Sequence, residues 1–177
     1  MTRVPYAVDG WGVGELWLEG TCLVWHELPQ PARNPHPGRG SDPPPSRSTI
    51  PAGAARKRAG TVPQVEKLVH TVTAYFRGER VSFVDVDIDA DGWTQFQLDV
   101  VAALRSVDYG EVVSYSDLAR LAGYPRAQRA AGTFCARNRF PLVVPCHRVV
   151  GTRGIGSYGS LGLDYKRRLL ALEGVAL

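Results

Sequence analysis

Two adjacent residues, Cys146 and His147, could form a nucleophilic site. The thiolate is the reactive form of a cysteine, and a neighbouring imidazole can accept the thiol proton. In a regular strand, neighbouring side chains point to opposite faces, so the pair could not meet there. Pro145 lacks an N–H and restricts the backbone of the residue before it, which predicts a turn at Cys146. Spacing alone leaves a structural role for the pair open.

The other candidate sites for metals and cofactors are incomplete. Cys22 and His26 resemble half of a zinc site, but no second pair with ligand spacing is present. The glycine-rich stretch 151–162 contains no Gly-Lys-Ser/Thr, and no dinucleotide fingerprint lies between a strand and a helix. The sequence therefore predicts neither a metal nor a cofactor.

Composition favours a reducing compartment and an anionic partner. The three cysteines are an odd number without short pair spacing, which is typical of free thiols. The first residues lack the apolar segment of a secretory signal, and no apolar run reaches the roughly 18 residues of a membrane helix. We therefore expect a cytoplasmic protein with no membrane partner. A net charge of +4 favours nucleic acid, although part of the excess lies in residues 47–58, which could form a solvated loop.

Residues 1–90 have the pattern of a small antiparallel sheet with one helix. Residues 15–18 and 22–28 predict a hairpin, and the alternating residues 81–88 predict a third, half-buried strand. In that strand one face carries Val84, Val86 and Ile88. A helix is predicted to begin at Pro63, with apolar residues at helical spacing: Val65, Leu68, Val69, Val72 and Phe76. Residues 29–60, rich in Pro, Gly and Arg, predict a long flexible insertion.

Residues 91–177 carry mainly helical signals. Two segments have the spacing of capping boxes ahead of an apolar stripe: Thr94 with Gln97, and Ser114 with Asp117. Gly123 predicts the end of the second of these helices, and Pro125 predicts the start of another that runs to about Arg137. Two short helices joined in this way indicate a helix-turn-helix.

The last of these helices has a composition suited to a nucleic-acid groove. Its apolar side is predicted to carry Ala127, Ala130, Ala131 and Phe134. Its opposite side carries Arg126, Arg129, Gly132, Thr133 and Ala136. Small residues let a backbone approach DNA closely, while guanidinium groups reach phosphates or bases. An ordinary solvated face remains the alternative, although no acidic residue occurs between Gly123 and Pro145.

Several motifs in order resemble the O6-alkylguanine-DNA alkyltransferase family. Pro145-Cys-His-Arg-Val149 is similar to the family's signature. Upstream, Tyr109-Gly-Glu-Val-Val-Ser-Tyr115, Gln128-Arg-Ala-Ala-Gly132 and Asn138 stand where its DNA-binding and hinge motifs stand. Downstream, residues 166–174, KRRLLALEG, are similar to its closing helix. The resemblance covers nearly the whole chain and is strong from Phe96 to Gly174.

This resemblance implies roles for individual residues. Cys146 would accept the alkyl group, His147 would act as a base through a water molecule, and Glu173 would orient His147. Asn138 would brace the turn that carries Cys146, and Tyr115 would help to rotate the nucleotide and donate a proton. The implied DNA-binding residues are Ser114, Arg126, Arg129, Gly132 and Thr133, with Arg129 filling the vacated place in the base stack. The implied base pocket comprises Val149, Tyr158, Gly159 and Ser160.

The implied fold is α+β. A small N-terminal antiparallel-sheet domain with a helix (1–90) would precede a mainly helical domain with a helix-turn-helix (91–177). The implied activity is stoichiometric, irreversible transfer of an alkyl group from O6-alkylguanine, or O4-alkylthymine, in duplex DNA to Cys146, by a monomer. Two alternatives stay open: a related protein that binds damaged DNA without transfer, and a cysteine hydrolase or acyltransferase. The first would carry Trp in place of Cys146.

Overall fold

The computed structural model describes residues 1–31, 62–152 and 154–177. The strands are β1 (Thr2–Val8), β2 (Gly12–Glu19), β3 (Cys22–Gln30), β4 (Val113–Ser114) and β5 (Val149–Val150). The α-helices are α1 (Val62–Phe76), α2 (Gln95–Arg105), α3 (Tyr115–Leu121), α4 (Gln128–Ala136) and α5 (Gly162–Leu172). Short 3-10 helices span Cys146–Arg148 and Gly159–Leu161. This order confirms the predicted α+β class.

The N-terminal sheet contains three antiparallel strands in the order β1-β2-β3. The predicted hairpin is confirmed as β2 and β3, in which Leu16 lies opposite His26. The edge strand β1 was not predicted, because Pro5 and scattered polar residues hide its alternation. Leu16, Leu18 and Leu23 are fully or almost fully buried and form the inner face of the sheet.

The third predicted strand, residues 81–88, is wrong. This segment contains a turn, and within it Ile88 pairs with Leu23 of the sheet through an isolated parallel bridge. There the Leu23 N–H donates to the Asp87 carbonyl at 2.9 Å, and the Asp89 N–H donates to Leu23 at 2.8 Å. The predicted faces are also wrong, because Phe83 is buried whereas Val84 is 64% exposed. A turn that closes through the Val86 N–H and the Phe83 carbonyl breaks the alternation.

Helix α1 packs its predicted apolar face into the core. It begins at Val62, just before Pro63, as predicted. Leu68, Val72 and Phe76 are buried. The helix ends in a Schellman motif, in which Gly78 adopts a left-handed backbone with φ +84°.

The helices that precede the site begin at the predicted caps. Both capping boxes are present, at Thr94 for α2 and at Ser114 for α3. Gly123, at φ +87°, ends α3. The next helix begins later than predicted, at Gln128 instead of Pro125, because residues 125–126 form a turn. Helices α3 and α4 pack against each other.

Two sequence predictions concern the remaining segments. Pro29 and Gln30 end β3, so the predicted insertion 29–60 begins too early. Its residues from 32 onward lie outside the described part of the chain. Among the described residues, none of the helices has the length and apolar character needed to cross a membrane.

The capping box of α2 gives a testable measure of local stability. The Thr94 hydroxyl accepts a hydrogen bond from the Gln97 N–H, so Thr94→Ala leaves that N–H unpaired at the helix start. We expect a loss of about 1 kcal/mol in the free energy of unfolding. Thr71→Ala is the control, because this hydroxyl bonds to the Lys67 carbonyl within α1 and caps nothing. Urea unfolding of both variants measures the difference, and equal losses would contradict the capping role.

Candidate active site

The predicted turn at Cys146 is present. After Pro145 the chain forms one 3-10 turn, Cys146–Arg148, closed by a hydrogen bond of 3.0 Å from the Arg148 N–H to the Pro145 carbonyl. Cys146 is 7% exposed, and His147 is fully buried. Because the turn replaces a regular strand, consecutive side chains of the motif no longer alternate between two faces.

Asn138 fixes the sulfur of Cys146. Its Nδ2 donates to the Val144 carbonyl at 2.7 Å and to Cys146 Sγ at 3.1 Å. Its Oδ1 accepts the Phe140 N–H at 3.0 Å. One amide therefore ties together both sides of the loop that leads to the thiol. These contacts are compatible with the bracing role that the family resemblance implies for Asn138.

Glu173 holds the imidazole of His147. The His147 Nε2 lies 2.7 Å from Glu173 Oε1, with both side chains fully buried. We assign the proton to Nε2, since an ionised carboxylate can only accept a hydrogen bond. Nδ1 then carries the lone pair, and it is buried without a hydrogen-bond partner among the described residues. The imidazole thus has one anchored nitrogen and one that can accept a proton.

Glu173 is itself surrounded by donors. Arg148 donates from Nε to Oε2 at 2.9 Å and from Nη2 to Oε1 at 3.0 Å. The Tyr75 hydroxyl donates to Oε1 at 2.7 Å, and the Gly110 N–H donates to Oε2 at 3.0 Å. Burial raises the pKa of Glu173, but the hydrogen bonds from His147, Arg148 and Tyr75 outweigh it and hold the pKa well below its usual range. Glu173 is therefore ionised.

The resting cysteine and histidine are neutral. Burial raises the pKa of Cys146, and the hydrogen bond from Asn138 and the charge of Lys166 offset this only in part. Burial lowers the pKa of His147 despite the neighbouring Glu173. A neutral thiol beside a neutral imidazole therefore replaces the ion pair that the sequence suggested. The thiol proton has to leave during the reaction.

A small pocket opens beside the sulfur. It is lined by Tyr115, Cys135, Ala136, Cys146, Ser157, Tyr158 and Gly159. The predicted Tyr115, Tyr158 and Gly159 are thus brought together with Cys146. Ser160 is exposed and does not line this pocket. The Val149 carbonyl, expected in the base pocket, accepts a hydrogen bond of 2.5 Å from the buried Lys166 ammonium group.

Four of the five predicted DNA-binding residues lie on α4 or just before it. Arg126, Arg129 and Thr133 are exposed. Gly132 faces Tyr115, since a Cβ added there would lie 3.6 Å from that ring. Ser114 caps α3.

The predicted faces of α4 are largely present. Ala131 and Phe134 are buried as predicted, and Ala127 is half-buried. Ala130 is exposed, so its predicted apolar side is wrong.

Sequence reasoning missed several side chains of the site: Tyr75, Cys135, Arg148 and Lys166. Arg148 and Lys166 lie within quoted motifs but received no role. Tyr75 had a usable signal, because it shares the buried face of α1 with Leu68 and Val72. A tyrosine on such a face needs a polar partner for its hydroxyl.

Comparison with known proteins places this arrangement in a family. The family model for the DNA-binding domain of 6-O-methylguanine DNA methyltransferase matches residues 95–175. A methylated-DNA–protein-cysteine methyltransferase of Methanopyrus kandleri is 42% identical over 113 residues, which are 62% of this chain and 81% of the relative. The chain belongs to the O6-methylguanine-DNA methyltransferase family. Tyr75 lies outside the matched region, whereas Cys146, His147 and Glu173 lie within it.

Other relatives agree with this assignment. A methylated-DNA–protein-cysteine methyltransferase of Methanosarcina acetivorans is 47% identical over 102 residues, 57% of this chain; the match spans 64% of that relative's length. The crystal structure of the O6-methylguanine methyltransferase of Mycobacterium tuberculosis is 31% identical with a TM-score of 0.69, covering 99% of this chain and 96% of that one. A Mycobacterium tuberculosis OGT in complex with DNA is 30% identical with a TM-score of 0.69, covering 97% and 91%.

The depressed pKa of Glu173 predicts how stability depends on pH. A carboxylate with a lowered folded pKa stabilises the protein above its unfolded pKa, about 4.3, and this contribution is lost as the pH falls below that value. Glu173→Gln should cost about 3–5 kcal/mol at neutral pH, because it leaves buried charge unpaired. We expect the difference from wild type to shrink on acidification, as measured by urea unfolding at several pH values.

The control for this prediction is Glu15→Gln. Glu15 pairs with Arg3 at 2.8 Å on the surface, where an ion pair contributes at most about 1 kcal/mol. A destabilisation by Glu173→Gln that stays constant down to acidic pH would contradict the ionised state of Glu173.

Proposed function

We propose that this protein repairs O6-alkylguanine, and O4-alkylthymine, in duplex DNA by moving the alkyl group onto Cys146. The observation that carries the proposal is a buried thiol that is held by Asn138 and is followed in the chain by His147. Glu173 binds Nε2 of His147, which leaves Nδ1 free to accept a proton. Relatives that are 47% and 42% identical to this chain over the matched residues are named methylated-DNA–protein-cysteine methyltransferases. The transfer consumes the protein, because the thioether product has no easy leaving group.

The proposed chemistry is an in-line displacement at carbon. The bond from Cys146 Sγ to the alkyl carbon forms while the bond from that carbon to guanine O6 breaks, and its electron pair stays on the base. The thiol proton passes to Nδ1 of His147 through a water molecule. Tyr115 delivers a proton to the leaving base and is reprotonated, by way of solvent, with the proton that His147 took from the thiol, so the products are neutral guanine, a thioether and unchanged Tyr115 and His147. No cofactor or metal takes part in this scheme.

The pocket residues would bind the extruded base. Tyr158 and Gly159 line the pocket beside Cys146, and Tyr158 is half-buried with its hydroxyl enclosed. Val149 and Ser160 are retained as proposed pocket residues, since both lie next to elements that border it. Of Gly159 and Ser160, Gly159 is the better candidate for the contact with O6, because it lines the pocket and Ser160 does not.

The exposed face of α4 would enter a groove of the DNA. The target oxygen lies on a paired base edge, so the nucleotide has to leave the stack before it reaches Cys146. Arg129 would fill the gap, Arg126 would contact phosphate, and Ser114, Gly132 and Thr133 would contact the backbone. The α3–α4 pair would serve as a helix-turn-helix within a DNA-binding domain of residues 91–177, preceded by an N-terminal domain of residues 1–90. We propose that the protein acts as a cytoplasmic monomer.

The first test follows the alkyl group by mass spectrometry. Labelled O6-benzylguanine should add a single benzyl group to the wild type, at Cys146, after which the reaction stops. Cys146→Ser should gain none and still bind duplex DNA, because the change removes the nucleophile and little volume. Cys22→Ser is the control and should react normally, since Cys22 lies outside the pocket.

Each other outcome of this test identifies an alternative. A labelled Cys146→Ser variant would make Cys135, which lines the same pocket, the acceptor. An unlabelled wild type that binds damaged DNA would indicate a binding protein without transfer. Repeated release of product would indicate a cysteine hydrolase or acyltransferase.

The second test separates base flipping from chemistry. Arg129→Ala should strongly reduce repair of duplex DNA. The Arg129 side chain, acting as a plug in the gap left by the flipped nucleotide, would offset the cost of unstacking by roughly a few kcal/mol. It should react almost normally with free O6-benzylguanine, which needs no flipping. Arg126→Ala is the matched variant on the same exposed surface and should weaken DNA binding modestly. The slope of the logarithm of the binding constant against the logarithm of the salt concentration should become shallower by about one. Equal losses on duplex and free base in Arg129→Ala would contradict the plug.

A further inference from the structure

Tyr75 brings α1 into direct contact with the histidine–glutamate pair. Its side chain is 1% exposed, and its hydroxyl donates to Glu173 Oε1 at 2.7 Å. The same hydroxyl lies 3.2 Å from Nε2 of His147. The two rings meet edge to face, with centroids 6.2 Å apart. Tyr75 therefore touches both members of the pair, although it comes from a part of the chain outside the matched family region.

The available protons determine the direction of these contacts. His147 Nε2 carries a hydrogen directed at Glu173 Oε1, so it cannot accept one from Tyr75. The single hydroxyl hydrogen of Tyr75 therefore goes to Glu173. Oε1 then receives three donors, from His147, Tyr75 and Arg148. Each further donor reduces the negative charge that this oxygen directs at the imidazole.

We propose that Tyr75 is a positioning residue for alkyl transfer, whose hydroxyl holds Glu173 Oε1 and keeps His147 neutral with Nδ1 ready for the thiol proton. This inference rests on the proposed function. It gives the N-terminal half of the chain a role in the chemistry, because the hydroxyl comes from α1 while the groups it acts on come from the 3-10 turn and the end of α5. Tyr75 acts through Glu173 and does not touch the substrate.

The charges around His147 set the sign of the expected effect. Glu173 favours the protonated imidazole, whereas burial, Arg148 and Lys166 oppose it. Tyr75 and the Cys146 thiol are neutral neighbours, since burial raises the pKa of both. Loss of the Tyr75 hydroxyl exposes more of the Glu173 charge to His147 and raises the pKa of His147. The base is then protonated up to a higher pH.

The experiment compares Tyr75→Phe with Tyr109→Phe. The Tyr109 ring packs against Tyr75 at a centroid distance of 6.1 Å, but its hydroxyl donates to the Leu172 carbonyl at 2.9 Å, not to Glu173. Single-turnover transfer from free O6-benzylguanine is measured against pH. We expect the acidic limb of the rate profile of Tyr75→Phe to move up by about one pH unit, which is about tenfold in rate on that limb. Tyr109→Phe should keep the wild-type profile.

A second measurement separates positioning from simple structural support. NMR titration of the His147 imidazole should show a raised pKa in folded Tyr75→Phe and no change in Tyr109→Phe. A rate loss that is equal at every pH, with an unshifted His147 titration, would mean that Tyr75 only supports the fold and would overturn the proposal. So would a wild-type rate profile in Tyr75→Phe. If the wild type forms no benzyl adduct, the proposed function fails, and the His147 titration alone decides the role of Tyr75.

Discussion

The buried carboxylate of Glu173 is the constraint on which the site depends. An ionised group without water is tolerated only when hydrogen bonds and opposite charge satisfy it. Its donors come from α1, from the loop before β4, and from the 3-10 turn. These segments are far apart in the sequence, so the carboxylate can be satisfied only when all of them have reached their final places. The hydrogen-bond network of the site is therefore complete only in the fully folded chain.

The same network explains why the nucleophile is stored as a thiol. Burial disfavours the thiolate of Cys146, while Asn138 supplies a donor to the sulfur. If each molecule reacts only once, as proposed, a sulfur that stays inert toward other electrophiles is an advantage. The neutral His147, held by Glu173, can take the proton when a substrate fills the pocket. In the proposed reaction, the thiol would lose its proton only when a substrate fills the pocket, so a permanently charged cysteine is not required.

The sequence predicted the features that local interactions determine. The capping boxes, the helix start near Pro63, the hairpin and the turn at Cys146 depend on residues a few positions apart, and all are present. It failed where distant contacts decide. Residues 81–88 alternate like a strand, but in the structure their pairing with the sheet is an isolated bridge between Ile88 and Leu23. Tyr75 was missed because its partner, Glu173, lies 98 residues later in the chain.

The position of Asn138 explains how DNA recognition and chemistry can be both linked and separable. Helix α4, which presents Arg129, ends at Ala136, two residues before Asn138. Asn138 in turn holds the Cys146 sulfur and the Val144 carbonyl. A helix docked in a groove would therefore fix the thiol relative to the DNA through a very short stretch of chain. The proposed proton acceptor, His147, is held instead by Glu173 at the end of α5. Substitution of exposed residues of α4 would leave that contact in place.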